Sequence, residues 1–326
     1  MSPQLSPTDS LRFLVLGPDQ GWHATQLAEA ASAAGHRLWF AAYESLSASI
    51  DAAGRHRVGC SAGALDRFDV VLARTMPMGS LEQITFRLAT LHQLDGPAAP
   101  LVINGPRSLE TAIDKYATLA VVRRLGYDVP ATTVVQSRGE AMAAFEQLGG
   151  DVVVKPIFGG EGRGVMRIQD PQLAWVSFAT LERLGAIAYV QRFVPPGGID
   201  TRLLVIGSQV WGVRRRCQDD WRTNVSQGAR SEAIEVDAAQ REMALRIAGA
   251  LGLHIAAVDV LEASDGRPRV LEVNGVPGWK GAQGALGINL AEAMIAHAAH
   301  LVTQPRQQRR PTDAYSPPVL PSVPTR

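Results

Sequence analysis

Between residues 11 and 103, short apolar runs alternate with Ala-rich or amphipathic segments, and this alternation limits the possible folds more than any other feature. Leu11–Leu16 reads as a buried strand ended by Gly17-Pro18, and the Ala-rich stretch 24–34 reads as a helix stopped by Gly35. Leu38–Ala42 and Phe68–Ala73 are further strands, 81–94 a helix, and Leu101–Ile103 another strand. Strands separated by helices pair in parallel, with helices covering both faces, so an α/β domain is expected over 11–103. No G-x-G-x-x-G follows the first strand, so no dinucleotide site is assigned there.

A second unit begins near Asn104. A helix over 108–125, strands at Thr132–Gln136 and Asp151–Pro156 around a helix at 139–148, a glycine-rich loop and a strand at Val165–Ile168 predict a small α+β lobe over 104–190. The larger lobe, 191–304, follows from strands at 187–194, 201–206, 209–215, 255–262 and 268–274, with helices at 238–251 and 289–302. Residues 1–10 and the Pro-rich tail 305–326 bury too little apolar surface to fold, so both are expected to be disordered. With 46% hydrophobic residues in 326, the chain can bury a large core. A net charge of +1 leaves no field to draw it to nucleic acid or an anionic membrane. Cys60 and Cys217 lie far apart without metal-ligand spacing and read as free thiols. No signal peptide and no run of about 20 apolar residues is present, so a cytoplasmic location is expected.

Chemistry gathers in three places. Asp259 interrupts the apolar run Ile255–Leu261, and a buried carboxylate is costly unless it meets a charge or a metal. On the following strand, alternation puts Val270, Glu272 and Asn274 on one face. Such hard oxygen donors suit magnesium, although acids meeting arginines would look the same. Second, Val152-Val153-Val154-Lys155 delivers a lysine into Gly159, Gly160, Gly162 and Gly164, a loop able to cradle phosphates; by itself it also reads as a plain hairpin turn. The Walker pattern is absent. Third come Arg214-Arg215-Arg216 and Arg222-Thr223-Asn224, since arginine forks fit phosphate and carboxylate, or else shield an exposed strand edge. Lys115 by itself reads as a surface lysine, His23 as a surface residue or one lining a cleft, and Trp279 as core or substrate contact.

Taken in order, these segments resemble the ATP-grasp superfamily, and in particular the RimK-type α-L-glutamate ligases. The resemblance covers about residues 100–300 and rests on Asn104-Gly105-Pro106-Arg107, Asp114-Lys115, the strand at Lys155 with its glycine loop, and Val190-Gln191-Arg192-Phe193-Val194. Asp200-Thr201-Arg202, Trp221–Asn224 and Leu271-Glu272-Val273-Asn274 complete it. It implies an ATP-grasp fold, two α+β lobes holding ATP, preceded by a Rossmann-like domain that helps bind the acceptor. It further implies that Lys115 and Lys155 contact phosphates, that Gln191, Arg192, Phe193 and Val194 form the adenine hinge, that Asp200 sits near the ribose, and that Thr223 belongs to the nucleotide site. Asp259, Glu272 and Asn274 would hold two magnesium ions, which manganese could replace. Arg222 and Asn224 would serve the acyl phosphate, with Arg74 and Arg202 binding substrate. The stretch Arg74–Gln83 looks like the branch associated with tetrahydromethanopterin metabolism in methylotrophic bacteria.

The implied partners are ATP, an amino acid (L-glutamate) and a carboxylate acceptor, in a homo-oligomer, without nucleic acid or membrane. Two departures stand out. Arg192 replaces the usual acidic hinge residue, and Val225–Ala229 replaces a basic, His-containing stretch, which bears on substrate choice. Other readings are an ATP-grasp ligase or kinase for a different substrate pair, and a nucleotide-binding scaffold without catalysis.

Overall fold

The computed structural model describes residues 10–94, 99–160, 162–223, 228–305 and 309. Asn224, expected in the catalytic pair, lies outside the described residues, as do most of the two termini expected to be disordered. The first sheet contains β1 (Arg12–Leu16) and β2 (Arg37–Ala41), joined by α1 (Trp22–Ala33). A three-stranded antiparallel sheet follows: β3 (Ser47–Ile50), β4 (His56–Cys60) and β5 (Gly63–Ala64). The sequence did not signal it because β3 is only four residues long and exposed throughout, so its Ser-Ala-Ser-Ile alternation buries no apolar face. The chain then returns as β6 (Val70–Ala73), α2 (Leu81–His92) and β7 (Leu101–Ile103), giving a parallel sheet ordered β2-β1-β6-β7. A reciprocal Ser80–Gln83 capping box starts α2.

The expected single helix over 108–125 is two, α3 (Pro106–Ile113) and α4 (Lys115–Arg124). Asp114 divides them: its backbone is extended and its carboxylate accepts the N–H groups of Tyr116 and Ala117, so it starts a new helix. Lys115 is thereby moved from mid-helix to the first turn of α4. The small-lobe boundary shifts as well, because Val122 and Leu125 pack into the core of the large sheet. The small sheet itself begins at β8 (Thr132–Val135) and continues through α5 (Arg138–Gln147), β9 (Val152–Lys155), β10 (Met166–Ile168), α6 (Pro171–Arg183) and β11 (Ala188–Arg192), in the order β10-β9-β11-β8. Helix α6 went unpredicted. Exposed Leu173, Trp175 and Val176 blur its period, although Asp170 as N-cap and Pro171 behind it were legible start signals.

The large sheet is ordered β14-β13-β12-β15-β16. Its strands are β12 (Ile199–Ile206), β13 (Gln209–Arg216), β14 (Arg230–Ile234), β15 (Ile255–Glu262) and β16 (Pro268–Asn274), with α7 (Ala238–Ala250) between β14 and β15. One face, with Leu203, Val205, Ala256 and Val258, packs on α7 and α4. The opposite face is divided. After the short α8 (Lys280–Leu286), α9 (Leu290–Thr303) covers Leu204, Ile206 and Ala257 at one end and also packs on Phe13, Val15 and Leu72 of the first sheet. At the other end the same face turns polar and opens into a cleft. Asn104 pins the junction: its side chain accepts from the N–H groups of His254 and Ile255 and donates to the carbonyls of Ile255 and Gly275. No single helix among the described residues is long and apolar enough to cross a membrane.

One expected alignment fails. A bulge at Leu271 shifts the register, so Asp259 pairs with Glu272 but Val260 with Val270. Val270 therefore joins Val258, Val260 and Val273 in the core, while Glu272 and Asn274 stay on the opposite face.

Candidate functional site

An open cleft lies between the small sheet and the polar end of the large sheet. Lys155 enters from the small lobe at the end of β9, and its ammonium donates to Gln191 Oε1 at 2.8 Å. Strand pairing sets Lys155 opposite Tyr189, so Gln191 lies on the diagonal. The Gln191 amide also donates to Thr132 Oγ1, which locks it at 1% exposure. Burial lowers Lys155 to about 8; Glu272 opposes this by attraction and Lys115 adds to it by repulsion. Lys115 is likewise lowered, first by burial, with Glu272 and Asp114 opposing. Its Nζ donates to the Gly159 carbonyl at 2.6 Å, holding the glycine loop against α4. Gly159, Gly160 and Gly162 line the cleft, whereas Gly164 packs back on Pro156. At Gly159 a φ of 108° suits glycine alone.

The Gln191–Val194 segment, expected as a hinge, ends β11 and runs past it along the cleft. Arg192 turns its guanidinium away to the Leu148 carbonyl, so the unexpected arginine leaves the cleft wall to backbone and neighbours. Phe193 packs edge-on to Trp221 at 6.0 Å, and Arg167, clamped by Asp151, lies 3.5 Å over the Phe193 ring. With Val194, Val153, Leu261 and Leu271 they give this end of the cleft apolar walls suited to a flat ring. Val153, Trp221, Leu261 and Leu271 were not predicted; alternation along β9 puts Val153 on the Lys155 face and was the available signal.

The opposite wall is a cross-strand charge ladder. Arg215 lies opposite Asp200, Arg202 opposite Asp259, and Asp259 opposite Glu272. Arg202 grips Asp259 with two bonds at 2.8 and 2.7 Å. Arg215 grips Asp200 and reaches Asp259 at 2.9 Å. Thr223 donates its hydroxyl to Asp200. Asp200 is therefore fully buried with both oxygens engaged, where a ribose contact was expected, and Asp259 meets arginines first. Burial opposes ionisation of Asp259, yet Arg202 and Arg215 outweigh it and hold the carboxyl below the usual range. Burial dominates at Asp200 and raises it, with Arg215 opposing. Arg215 is the residue that sequence reasoning left in an undifferentiated arginine group.

Glu272 forms no hydrogen bond or ion pair among the described residues and faces the cleft beside Asp259. Asn274 Oδ1 accepts from the Val276 N–H. No cluster of three or more His, Cys, Asp or Glu residues suited to a metal occurs among the described residues. Asp259 and Glu272 are nevertheless hard oxygen donors side by side in the cleft, which suits magnesium sharing its shell with phosphates, while Asn274 continues their face beyond the cleft lining. Asp200, Asp259 and Glu272 share the lining with Lys115, Lys155, Arg163, Arg192 and Arg215, so basic groups outnumber acids and the cleft favours an anionic ligand; Arg202 grips Asp259 from outside the lining. Arg222 lines it too, paired with Asp220. Arg74 lies outside it, at the seam between the first sheet and the loop after β16, where it donates to the Pro277 carbonyl. Trp279 is fully buried, and His23 accepts its backbone N–H.

The chain is 29% identical to the tetrahydromethanopterin:α-L-glutamate ligase of Methanosarcina acetivorans, over 73% of this chain and 82% of that one. It is 32% identical to a probable α-L-glutamate ligase of Sodalis glossinidius, over 83% and 90%. The solved structure of the ATP-grasp ligase PsnB complexed with minimal precursor, Mg and ADP superposes with a TM-score of 0.67 at 22% identity, covering 93% of this chain and all of that one; it shares the fold. A RimK-like ATP-grasp domain matches residues 112–298, more than half of the chain. Both lysines, the glycine loop and the Asp259–Glu272 pair fall within that span, and the chain belongs to the RimK-like ATP-grasp family of ligases.

Proposed function

We propose that the protein uses ATP to join L-glutamate to a carboxylate acceptor through an acyl phosphate. The observation that carries this reading is the cleft itself: two buried lysines and a glycine loop face a carboxylate pair backed by arginines. A carboxylate is a poor acyl donor because its leaving group is poor. Its oxygen attacks the ATP γ-phosphorus, the bond to the β–γ bridging oxygen breaks, and ADP departs. The glutamate amine then attacks the acyl carbon, loses a proton, and phosphate leaves. Phosphoryl transfer requires mainly positioning and charge neutralisation. Lys155 supplies positive charge from the small lobe, Lys115 from the first turn of α4, and Arg222 from the loop after β13. The hinge at Gln191–Val194 seats the adenine, and Gly159–Gly164 closes over the phosphates, keeping water from the acyl phosphate. Asp259, Glu272 and Asn274 would hold two magnesium ions, or manganese, which neutralise the triphosphate and polarise the transferred phosphoryl group.

A pterin-type acid is the proposed acceptor, supported by the name of the Methanosarcina relative and by the Arg74–Gln83 segment. A homo-oligomer is proposed on the family resemblance alone, and a cytoplasmic location on the sequence. The test is ADP release by purified protein with MgATP across amino acids crossed with carboxylates. Release requiring glutamate together with one acid is expected. Release that needs no amine would overturn the ligase assignment in favour of a kinase.

A further inference from the structure

Lysine carries its charge on a flexible four-carbon stem, so a lysine serves a phosphate best where the protein already holds it still. A hydrogen-bond chain holds Lys155, running across the adjacent strands β9, β11 and β8. Its direction follows from counting protons. An ammonium donates and never accepts, so the Gln191 atom 2.8 Å from Lys155 Nζ is the carbonyl oxygen. The Gln191 amide nitrogen then points the other way, to Thr132, its direct partner across the β11–β8 pair, and donates to Oγ1 at 2.9 Å. Thr132 has one hydroxyl proton, and it goes to the Pro130 carbonyl at 2.9 Å. The hydroxyl oxygen facing Gln191 can therefore only accept. Tyr189 Oη, 3.4 Å from the amide nitrogen, faces the second amide proton.

Lys155 and Gln191 are both buried, so water cannot replace a lost partner. A flipped amide would set its NH2 group against the ammonium, and its oxygen would gain a proton from Thr132 only if Pro130 lost one. Both ends of the Gln191 side chain are thus engaged inside the protein, and Gln191 can meet a ligand through its backbone alone. The geometry points to Thr132 as a positioning residue: by giving its one proton to Pro130 it turns the Gln191 amide oxygen towards Lys155, and so fixes the ammonium in the cleft before a nucleotide arrives. This rests on the ligase reading, in which Lys155 meets the ATP phosphates, and adds to it a residue outside the cleft lining.

The test is isothermal titration of MgATP into the full chain for wild type, T132V, T132S, K155M and the double variant T132V/K155M, each first shown to be folded by circular dichroism. Valine keeps the shape of threonine and removes both the acceptor and the proton. T132V should weaken MgATP binding about fivefold, the size of one neutral hydrogen bond. T132S, which restores the hydroxyl, should stay within about twofold of wild type, and in the K155M background T132V should add less than about twofold, because the lysine it positions is gone. Wild-type affinity in T132V, a T132S as weak as T132V, or a T132V loss of the same size in K155M overturns the proposal and leaves the ligase reading standing. Should T132V fail to fold, T132A takes its place in the same comparisons. K155M that binds MgATP as tightly as wild type removes Lys155 from the phosphate site, which overturns that part of the ligase reading and this proposal with it.

Discussion

Replacing Arg215 by methionine should separate the two carboxylates it serves. Asp200 is fully buried, and its partners are two bonds from Arg215 and one hydroxyl from Thr223. R215M leaves that charge with the hydroxyl alone. Asp259 loses a single contact and keeps both bonds from Arg202. Breaking a buried pair by removing one partner costs about 3–5 kcal/mol. R202M removes two charged bonds from Asp259 but leaves it Arg215, and should cost about 1.5–3 kcal/mol. The order of the two costs is the diagnostic. Urea unfolding followed by far-UV circular dichroism at pH 7 measures both. A pH series adds a signature. Burial already raises the folded Asp200 carboxyl in wild type, with Arg215 opposing, and losing Arg215 raises it further. The deficit of R215M relative to wild type should then be full above the variant's folded value and shrink as pH falls through it to the wild-type one, below which Asp200 is protonated in both. A cost below about 1 kcal/mol for R215M, the level of an exposed pair, or a larger cost for R202M, would refute the ladder.

Three further outcomes are expected. Glu272→Gln abolishes turnover far more than it weakens ATP binding at high nucleotide; metal-dependent turnover at the wild-type rate would defeat the cation assignment. Lys155→Met weakens nucleotide binding by about 10- to 100-fold. In wild type, Lys155 is lowered to about 8, so its charge is present below that pH, and affinity should fall as pH rises through it, a slope K155M should lack. Asn104→Ala strands the N–H groups of His254 and Ile255 and two carbonyls, and should cost about 2–4 kcal/mol in the same unfolding assay; a loss within 0.5 kcal/mol, typical of surface changes, would mean that Asn104 does not join the two units.

The sequence by itself determined the parallel strands of the first domain, the strand that ends in Lys155, and the placement of Asp259 inside an apolar run. Each is local: apolar period, glycine and proline punctuation, and one charge where none should be free. Tertiary structure decided the rest, because the deciding contacts join residues far apart in the chain. Asp259 and Arg202 are cross-strand neighbours, so sequence could offer metal or arginine as its partner but could not choose between them. The bulge at Leu271 turned Val270 inward, a shift set by pairing with β15. Asp114 split one apolar period into two helices, because its side chain caps a turn that periodicity alone would continue. Arg74 and Trp279, some two hundred residues apart, meet only because α9 holds two sheets in one core, which lays the loop after β16 along the edge of the first sheet.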